Sequence, residues 1–202
     1  MENKKEKLEY FKAAISSTVR SLTNSQKIEV SFGNQVSKSN KNYVRLPDLN
    51  QTNDIINYDE IRAIADSKSL NLRFSNNDVF KKFEPEGNIS KKLYSIAEKI
   101  RCEKIGTSYF KGVKNNIETF YQERVSGLDL KSSEDKIVES FENYLRTKFL
   151  DFENNSQIDK KLKSYKKDLN EKFKDKIGQL NEFTLEQEKF NSLISQLIGD
   201  MN

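Results

Sequence analysis

The sequence has 202 residues, of which 35% are hydrophobic and 33% charged, and it carries a formal net charge of +4. It contains no His and a single Cys. This excludes an internal disulfide, the usual His and Cys ligands of zinc or haem, and Ser-His or Cys-His nucleophile pairs. Thirteen Phe and eight Tyr, against seven Gly and two Pro, indicate a folded, helix-rich chain.

Charge and hydropathy patterns also restrict the expected cellular location of the protein and the expected classes of binding partner. The amino terminus is positively charged but lacks the apolar run of a secretory signal, and no stretch approaches the roughly 20 apolar residues of a membrane span. Sparse cysteine fits a reducing compartment, so we expect a cytoplasmic protein without membrane contact. Lysine and glutamate interleave as on a solvated helix face, and we therefore expect no nucleic-acid partner.

The first segment predicts a helix followed by two short strands. Apolar residues recur in steps of three and four on a helix that ends near Asn24-Ser25, namely at Leu8, Phe11, Ile15, Val19 and Leu22. Residues 28–32 then alternate between apolar and polar, which is typical of a half-buried strand. Residues 43–46 predict a partner strand that Pro47 ends, because proline cannot donate to a ladder. We expect one small β-hairpin near residues 27–46.

The middle of the chain predicts three helices. Asp54 is a candidate N-cap for the first. The second is expected to stop at Gly106, because glycine accepts the left-handed conformation, and the third to end near Gly127. Their apolar sides are Ile61, Ile64, Ala65 and Leu72, then Ile89, Leu93, Ile96, Ala97 and Ile100, and finally Val113, Ile117 and Phe120.

The last third predicts three more helices with their own caps. Ser132 and Ser156 are candidate N-caps, and Thr184 to Gln187 has the spacing of a capping box. The apolar sides are Ile137, Phe141, Leu145 and Phe149, then Ile158, Leu162, Tyr165, Leu169, Phe173 and Ile177, and finally Phe190, Leu193, Ile194, Leu197 and Ile198. We divide the chain into a helical domain with the hairpin, residues 1–128, and a helical extension packing on it, residues 129–202.

Three features are candidates for chemistry. The segment from Gly106 to Gly112 lacks the strand and the Gly-Lys-Ser/Thr ending of a phosphate loop, so it predicts a corner between two helices. Asp66 lies inside an apolar-lined helix, and we interpret it as a solvated or ion-paired residue. Cys102 lacks a base partner and is interpreted as a packing residue, although the neighbouring Arg101 can lower the pKa of a thiol.

Four strings resemble the amino-terminal region of CobT, a subunit of the aerobic, ATP-dependent cobaltochelatase. In order, they are Phe11-Lys12-Ala13-Ala14 leading to Ile28-Glu29-Val30-Ser31-Phe32; Arg45-Leu46-Pro47; Arg62-Ala63-Ile64-Ala65-Asp66-Ser67; and Arg101-Cys102-Glu103-Lys104-Ile105-Gly106 leading to Gly112-Val113-Lys114-Asn115-Asn116-Ile117. Their order and separation carry the resemblance, which covers about the first 125 residues well. Relatives carry His where this chain has none, so no role of those residues transfers.

The resemblance implies an accessory subunit of a ligase that forms nitrogen–metal bonds. In that family CobT works with an AAA+ ATPase subunit, CobS, and with a large subunit, CobN, where cobalt enters the corrin ring in cobalamin biosynthesis. It implies a hetero-oligomer in which ATP, Mg and cobalt belong to the partner subunits. Family members continue through an acidic linker into a von Willebrand factor A-type domain. This chain stops before both, so we expect the amino-terminal half of such a subunit.

Together, these arguments predict a mainly α-helical coupling subunit with no catalytic, cofactor-binding or metal-binding residue of its own. The candidate interaction positions are Arg45, Pro47, Asp66, Arg101, Glu103, Gly106 and Gly112. One alternative is a helical adaptor of another AAA+ and von Willebrand-domain pair whose client is not a chelatase. A third class, an independent enzyme, predicts turnover by the purified chain.

Overall fold

The computed structural model describes residues 2–33, 43–49 and 57–201. The fold of this part is mainly α-helical, as predicted. Ten helices and two strands follow one another as α1 (Glu2–Thr23), β1 (Glu29–Phe32), β2 (Tyr43–Leu46), α2 (Tyr58–Phe74), α3 (Asn77–Lys82), α4 (Asn88–Tyr109), α5 (Lys111–Ser126), α6 (Ser133–Lys148), α7 (Ser156–Lys161), α8 (Lys163–Phe173), α9 (Ile177–Glu182) and α10 (Gln187–Gly199).

The two strands lie where the sequence predicts them, but their direction differs from that of a hairpin. They pair in parallel, with Glu29 opposite Tyr43 and Phe32 opposite Leu46. Residues 33–42 connect the strands. For the second strand to run parallel, the chain has to return along the length of the first, which for four residues is only about 13 Å. A connection of that length does not impose the tight reversal of a hairpin. The alternation of apolar residues therefore predicts the strands but not their direction.

A small core lies between α1, the sheet and the first half of α2. Its buried members are Ile15, Val19, Ile28, Val44, Leu46, Leu49, Ile61 and Ala65. The apolar positions predicted for α1 and the strands supply most of it. α2 also contributes Leu70 to the larger core, so this helix connects the two.

The larger core surrounds α4. It includes Leu70, Tyr94, Ala97, Phe141, Leu145, Phe149, Phe173, Phe190 and Ile194. Phe141 of α6 and Phe173 of α8 meet edge to face with ring centroids 5.7 Å apart, a favoured aromatic geometry. The core runs across residue 128 without interruption. The division of the chain at that residue stays a prediction.

Several helix ends follow local signals. α1 ends at Thr23, next to the predicted end at Asn24-Ser25, and Asn24 follows it with a left-handed φ of 53°. The cap of α2 is Asn57, whose side chain accepts from the Glu60 N–H; the predicted cap, Asp54, lies outside the described residues. α5 ends at Gly127, as predicted.

The N-cap predicted at Ser132 and the capping box predicted at Thr184 have different outcomes. Ser132 caps α6 as predicted, and it does so in a capping box: its Oγ accepts from the Asp135 N–H at 3.0 Å, and the Asp135 carboxylate accepts from the Ser132 N–H. The box at Thr184 does not form, because its Oγ1 donates back to the Asn181 carbonyl at 2.8 Å. α10 begins at Gln187 without a side-chain cap.

The single helix predicted from Ser156 onward is divided into α7, α8 and α9. The Asn155 side-chain oxygen, rather than Ser156, accepts from the Ile158 N–H, at 3.3 Å. Leu162 is fully buried and separates α7 from α8 with a φ of −111°. α7 contacts α5 while α8 packs on α6, so Ile158 and Phe173 serve different neighbours. The break at Leu162 therefore lies where the packing partner changes.

α4 continues through Gly106 to Tyr109, past the predicted end. Gly106 lies within the helix, and a Cβ there would sit 2.3 Å from Leu70 Cδ2. The glycine is therefore needed for the close approach of α2 to α4 rather than for a left-handed stop. The predicted corner between two helices falls at Phe110. Leu72, predicted in the core, is 41% exposed, and Leu70 is buried in its place.

We predict opposite effects of alanine at the two glycines of this region. Gly106→Ala should lower the free energy of unfolding by about 2 kcal/mol, because overpacking against buried Leu70 exceeds the gain in helix propensity of about 1 kcal/mol. Gly112→Ala is the matched control, since nothing lies within 4 Å of the position that its added methyl group would take. It should leave stability unchanged or raise it. Urea unfolding compares both; equal stability of the two variants would contradict the close contact.

Candidate interaction site

One stretch of α4 and one of α6 are buried on every side, yet they carry charges. Residues 100–103 of α4 and 140–146 of α6 are buried without interruption, so these turns have no side that faces solvent. Charged side chains there need partners within the protein, because an unpaired buried charge is strongly destabilising. The charged residues concerned are Glu98, Arg101 and Glu103 in α4, and Glu142 and Arg146 in α6.

Arg101 joins three parts of the fold. Its Nε and Nη2 donate to the Glu98 carboxylate, each at 2.8 Å, one turn earlier in α4. Nη2 also donates to the Phe74 carbonyl at 2.7 Å, and Nη1 to the Thr184 carbonyl at 2.9 Å. Those carbonyls belong to the last residue of α2 and to the turn before α10. One guanidinium, 1% exposed, therefore fixes both segments to α4.

A second network connects α4 with α6, α5 and α2. Arg146 Nη1 donates to Glu103 at 2.8 Å, and its Nε donates to Glu142 at 2.9 Å. Glu103 also accepts from Ser67 Oγ at 2.5 Å, and Glu142 accepts from Arg124 Nη2 at 3.0 Å. Every carboxylate and guanidinium of this network thus meets an opposite charge carried by another element or by its own helix.

Glu142 is the most heavily compensated carboxylate of the network. Burial raises its pKa, but the charges of Lys99, Arg146 and Arg124 outweigh burial and hold the pKa below its usual range. Lys99 Nζ lies 3.2 Å from Glu142 and is the most exposed of the three cations, at 38%. Glu142 therefore stays ionised and keeps two deeper guanidinium partners besides this lysine.

Asp66 belongs to α2, contacts α5 and is 3% exposed. Its Oδ2 accepts from Asn116 Nδ2 at 2.8 Å. Burial raises the pKa of Asp66 to about 6, although the Asn116 hydrogen bond and the charge of Arg62 act against it. The interpretation of Asp66 as solvated or ion-paired was wrong, because its partner is a neutral amide on a helix far along the chain.

Two adjoining grooves open beside the second network. The smaller, of about 360 Å³, lies between α2, α4, α5 and α6, and Glu103 and Arg146 line it. The larger, of about 680 Å³, lies between β2, α2 and α4, and Arg45 lines it. Lys68 and Lys99 border both grooves. The described surface nearest to the buried charges is thus a basic one.

Cys102 is a packing residue, as predicted. It has no exposed surface, and burial together with the charge of Glu98 raises the pKa of its thiol, despite the neighbouring Arg101. Among the described residues, no three Asp, Glu or Cys side chains gather in an arrangement that could hold a metal ion. No helix within residues 2–33 and 57–201 combines the length and apolar character of a membrane span.

A comparison with known protein families finds a match along nearly all of this chain. A family model described as "Cobalamin biosynthesis protein CobT" matches residues 5–202. The chain belongs to the CobT family. The match covers the carboxyl-terminal helices as well as the first 125 residues, where the sequence resemblance is strongest. No solved structure matches the chain.

The seven candidate positions of this CobT family chain separate into two groups. Four are buried in α2 and α4, namely Asp66, Arg101, Glu103 and Gly106. Three lie at the surface or are partly buried, namely Arg45, Pro47 and Gly112. The structure brings Glu103 and Gly106 to the interface with α2, and it places Arg101 with α10. The buried four can affect a partner only through the arrangement of the helices, and an interaction role for all seven stays a prediction.

Sequence reasoning missed most of the partners in these networks. Glu142, Arg146 and Arg124 carry the second network, and Asn116 holds Asp66. One signal was present in the CobT sequence: Glu142 and Arg146 stand four residues apart, directly beside apolar Phe141 and Leu145, which indicates an ion pair on a buried helix face. No local signal points to Asn116, because its contact with Asp66 depends on how α5 packs on α2.

We predict that removing one member of the second network is costly, and that removing two restores part of the loss. Arg146→Met leaves Glu103 without its cation and should lower the free energy of unfolding by about 3–5 kcal/mol. The double variant with Glu103→Gln should lose less than the sum of the two single losses. Lys167→Met, which alters an exposed pair at 4.0 Å, should cost under about 0.5 kcal/mol. Additive losses in urea unfolding would contradict coupling between the two residues.

We predict that Asp66→Asn stabilises the protein at alkaline pH. A carboxylate whose pKa is raised from 3.8 to about 6 destabilises the folded state above that pKa, by at most about 3 kcal/mol. The amide removes this cost and still accepts from Asn116. The gain should be largest near pH 8 and fall by roughly half at pH 5, as the folded wild type takes up its proton. Asp168→Asn, at an exposed carboxylate of α8, is the control; a gain at Asp66 that does not change with pH would refute the assignment.

Proposed function

We propose that this CobT family chain is an accessory, non-catalytic subunit of an ATP-dependent cobaltochelatase. It couples an AAA+ ATPase subunit of CobS type to the large subunit of CobN type, where cobalt enters the corrin ring. In this proposal ATP and Mg²⁺ bind to the partner subunits, and cobalt is the substrate of the assembly. The family match over residues 5–202, to a cobalamin biosynthesis protein, supports the pathway.

The observation that carries the coupling role is the pair of buried charge networks on α4. Arg101 fixes the end of α2 and the turn before α10 to this helix, and Glu103 fixes α6 and the middle of α2. The helices held in this way move as one body, because none of α2, α4 and α6 shifts without separating a buried charge from its partner. Such a body suits a subunit that transmits a movement from one partner to another.

The chemistry of the described ionisable groups supports an accessory role. Glu98, Glu103 and Glu142 each accept from arginine side chains, so their charges are engaged in holding helices together. The Cys102 thiol is buried, and its pKa is raised, which keeps it in the unreactive protonated form. These groups serve the packing of helices rather than a reaction with a substrate.

Reconstitution of cobalt insertion tests the proposal. We expect insertion into the corrin ring to require this chain together with the ATPase subunit, the large subunit, ATP and Mg²⁺. The purified chain alone should show neither ATP hydrolysis nor cobalt insertion above the blank. Insertion at the full rate without this chain, or turnover by the chain alone, would overturn the accessory role.

Co-purification with the ATPase subunit tests the coupling step separately. The experiment is run without nucleotide, with ADP and with a non-hydrolysable ATP analogue, and we expect a complex in at least one of these states. Lys167→Met, at an exposed residue outside the seven candidate interaction positions, serves as a folded control variant. Failure to form a complex in every nucleotide state would exclude coupling, even if cobalt insertion still depended on the chain.

A further inference from the structure

The larger groove presents the outer edge of β2. Leu46 O accepts from Gly33 N at 2.9 Å, so the backbone of Leu46 faces β1. In a parallel pair, alternate residues direct both backbone groups to the same side. The backbone of Val44 therefore also faces β1, and those of Tyr43 and Arg45 face away from it. Within the described residues the sheet has no third strand, and Tyr43, Val44 and Arg45 all line the groove.

The side chain of Lys68 binds to the backbone at this outer edge. Its Nζ donates to the backbone carbonyl of Arg45 at 2.6 Å, in the position where a neighbouring strand would donate an N–H. Partial burial, and then the charge of Arg45, lower the pKa of Lys68. The two cations thus stand close together, and the lysine takes the place of a main-chain donor.

The charged residues described in the groove are all positive. Arg45, Lys68 and Lys99 line it, and no acidic side chain is among its described lining residues. Arg45 Nε is held by the Gly33 carbonyl at 2.8 Å. Lys99 lies beside Glu142, which retains Arg146 and Arg124 as partners when the lysine turns away. The groove therefore offers cations to a ligand while Glu142 keeps its two arginine partners.

Apolar side chains complete the groove. Tyr43 is 45% exposed and Leu72 is 41% exposed, and both line it together with the half-buried Ile96. Exposed large apolar side chains beside a strand edge are a common feature of peptide-binding grooves, where the main chain gives affinity and alternate side chains give specificity. The exposure of Leu72, on a helix whose other aliphatic residues are buried or partly buried, has a reason here.

We propose that this groove binds an extended acidic segment of a partner protein, which adds to β2 as a third strand. The main chain of the segment pairs with the outer edge of β2 at Tyr43 and Arg45. It displaces the Lys68 ammonium from the Arg45 carbonyl, and Lys68 and Lys99 then meet carboxylates of the segment. Apolar side chains of the segment lie against Tyr43 and Leu72. This docking site is independent of which assembly the chain joins.

Direct binding to the purified full chain tests the proposal. The probe is a fluorescein-labelled peptide of alternating glutamate and valine, followed by fluorescence anisotropy. We expect saturable binding that weakens with salt, and no binding of the matching glutamine and valine peptide. Methylation of alternate backbone nitrogens on the acidic peptide should weaken binding at least about tenfold, since those groups pair with the strand edge. This comparison uses wild-type protein and does not depend on any variant folding.

Variants then locate the site. Lys68→Gln and Lys99→Gln keep a hydrogen-bond donor but remove the charge, and each should weaken binding by about tenfold. Lys91→Gln, at an exposed lysine on α4, should leave it unchanged. Three results would overturn the proposal: the methylated peptide binds as tightly as the unmethylated one, citrate competes as well as the unlabelled acidic peptide, or neither lysine variant changes peptide binding. The first result would exclude strand addition, the second would indicate a small-anion site, and the third would place the peptide elsewhere.

Discussion

The central constraint on this fold is the presence of charged side chains in helices that have almost no solvent-facing side. An intact buried ion pair adds little net stability, because desolvation offsets most of the attraction, whereas loss of one partner costs about 3–5 kcal/mol. Arg101 and Arg146 therefore act mainly by excluding other arrangements of the helices. Each binds acceptors from at least two elements, so a shifted helix would leave a charge buried without compensation.

The contact between α2 and α4 follows from that constraint. Ser67 binds Glu103, and one turn further on Leu70 packs directly on Gly106. A polar contact and a close steric contact on the same pair of helices fix both their rotation and their separation. Lys68, on the adjacent position of α2, reaches the backbone of β2. The position of the small sheet relative to α4 is thus set through α2, and so is the shape of the groove between them.

Local signals in the sequence predict most of the elements but not their contacts. Both strands, the end of α1 and the Ser132 box follow from residues close to each other in the chain. The parallel pairing does not, because strand direction depends on the connection and on the packing of α1 against α2. Gly106 carries two opposing signals, a helix stop and a close contact, and only the position of Leu70 decides between them. Asp66 is similar, since its partner on α5 is fifty residues away.

The arginines of the buried networks and the lysines of the groove lie at different depths, which separates the groups that stabilise the fold from those proposed to bind a ligand. Arg101 and Arg146 lie in the interior, where a planar guanidinium can satisfy several acceptors at once and stays charged under all ordinary conditions. Lysines border the groove, where a flexible ammonium can exchange one acceptor for another. Salt screens exposed charges far more than buried ones. Changes of ionic strength that weaken contacts at Lys68 and Lys99 should therefore leave the Arg101 and Arg146 networks intact, so a ligand can come and go without loosening the body that carries it.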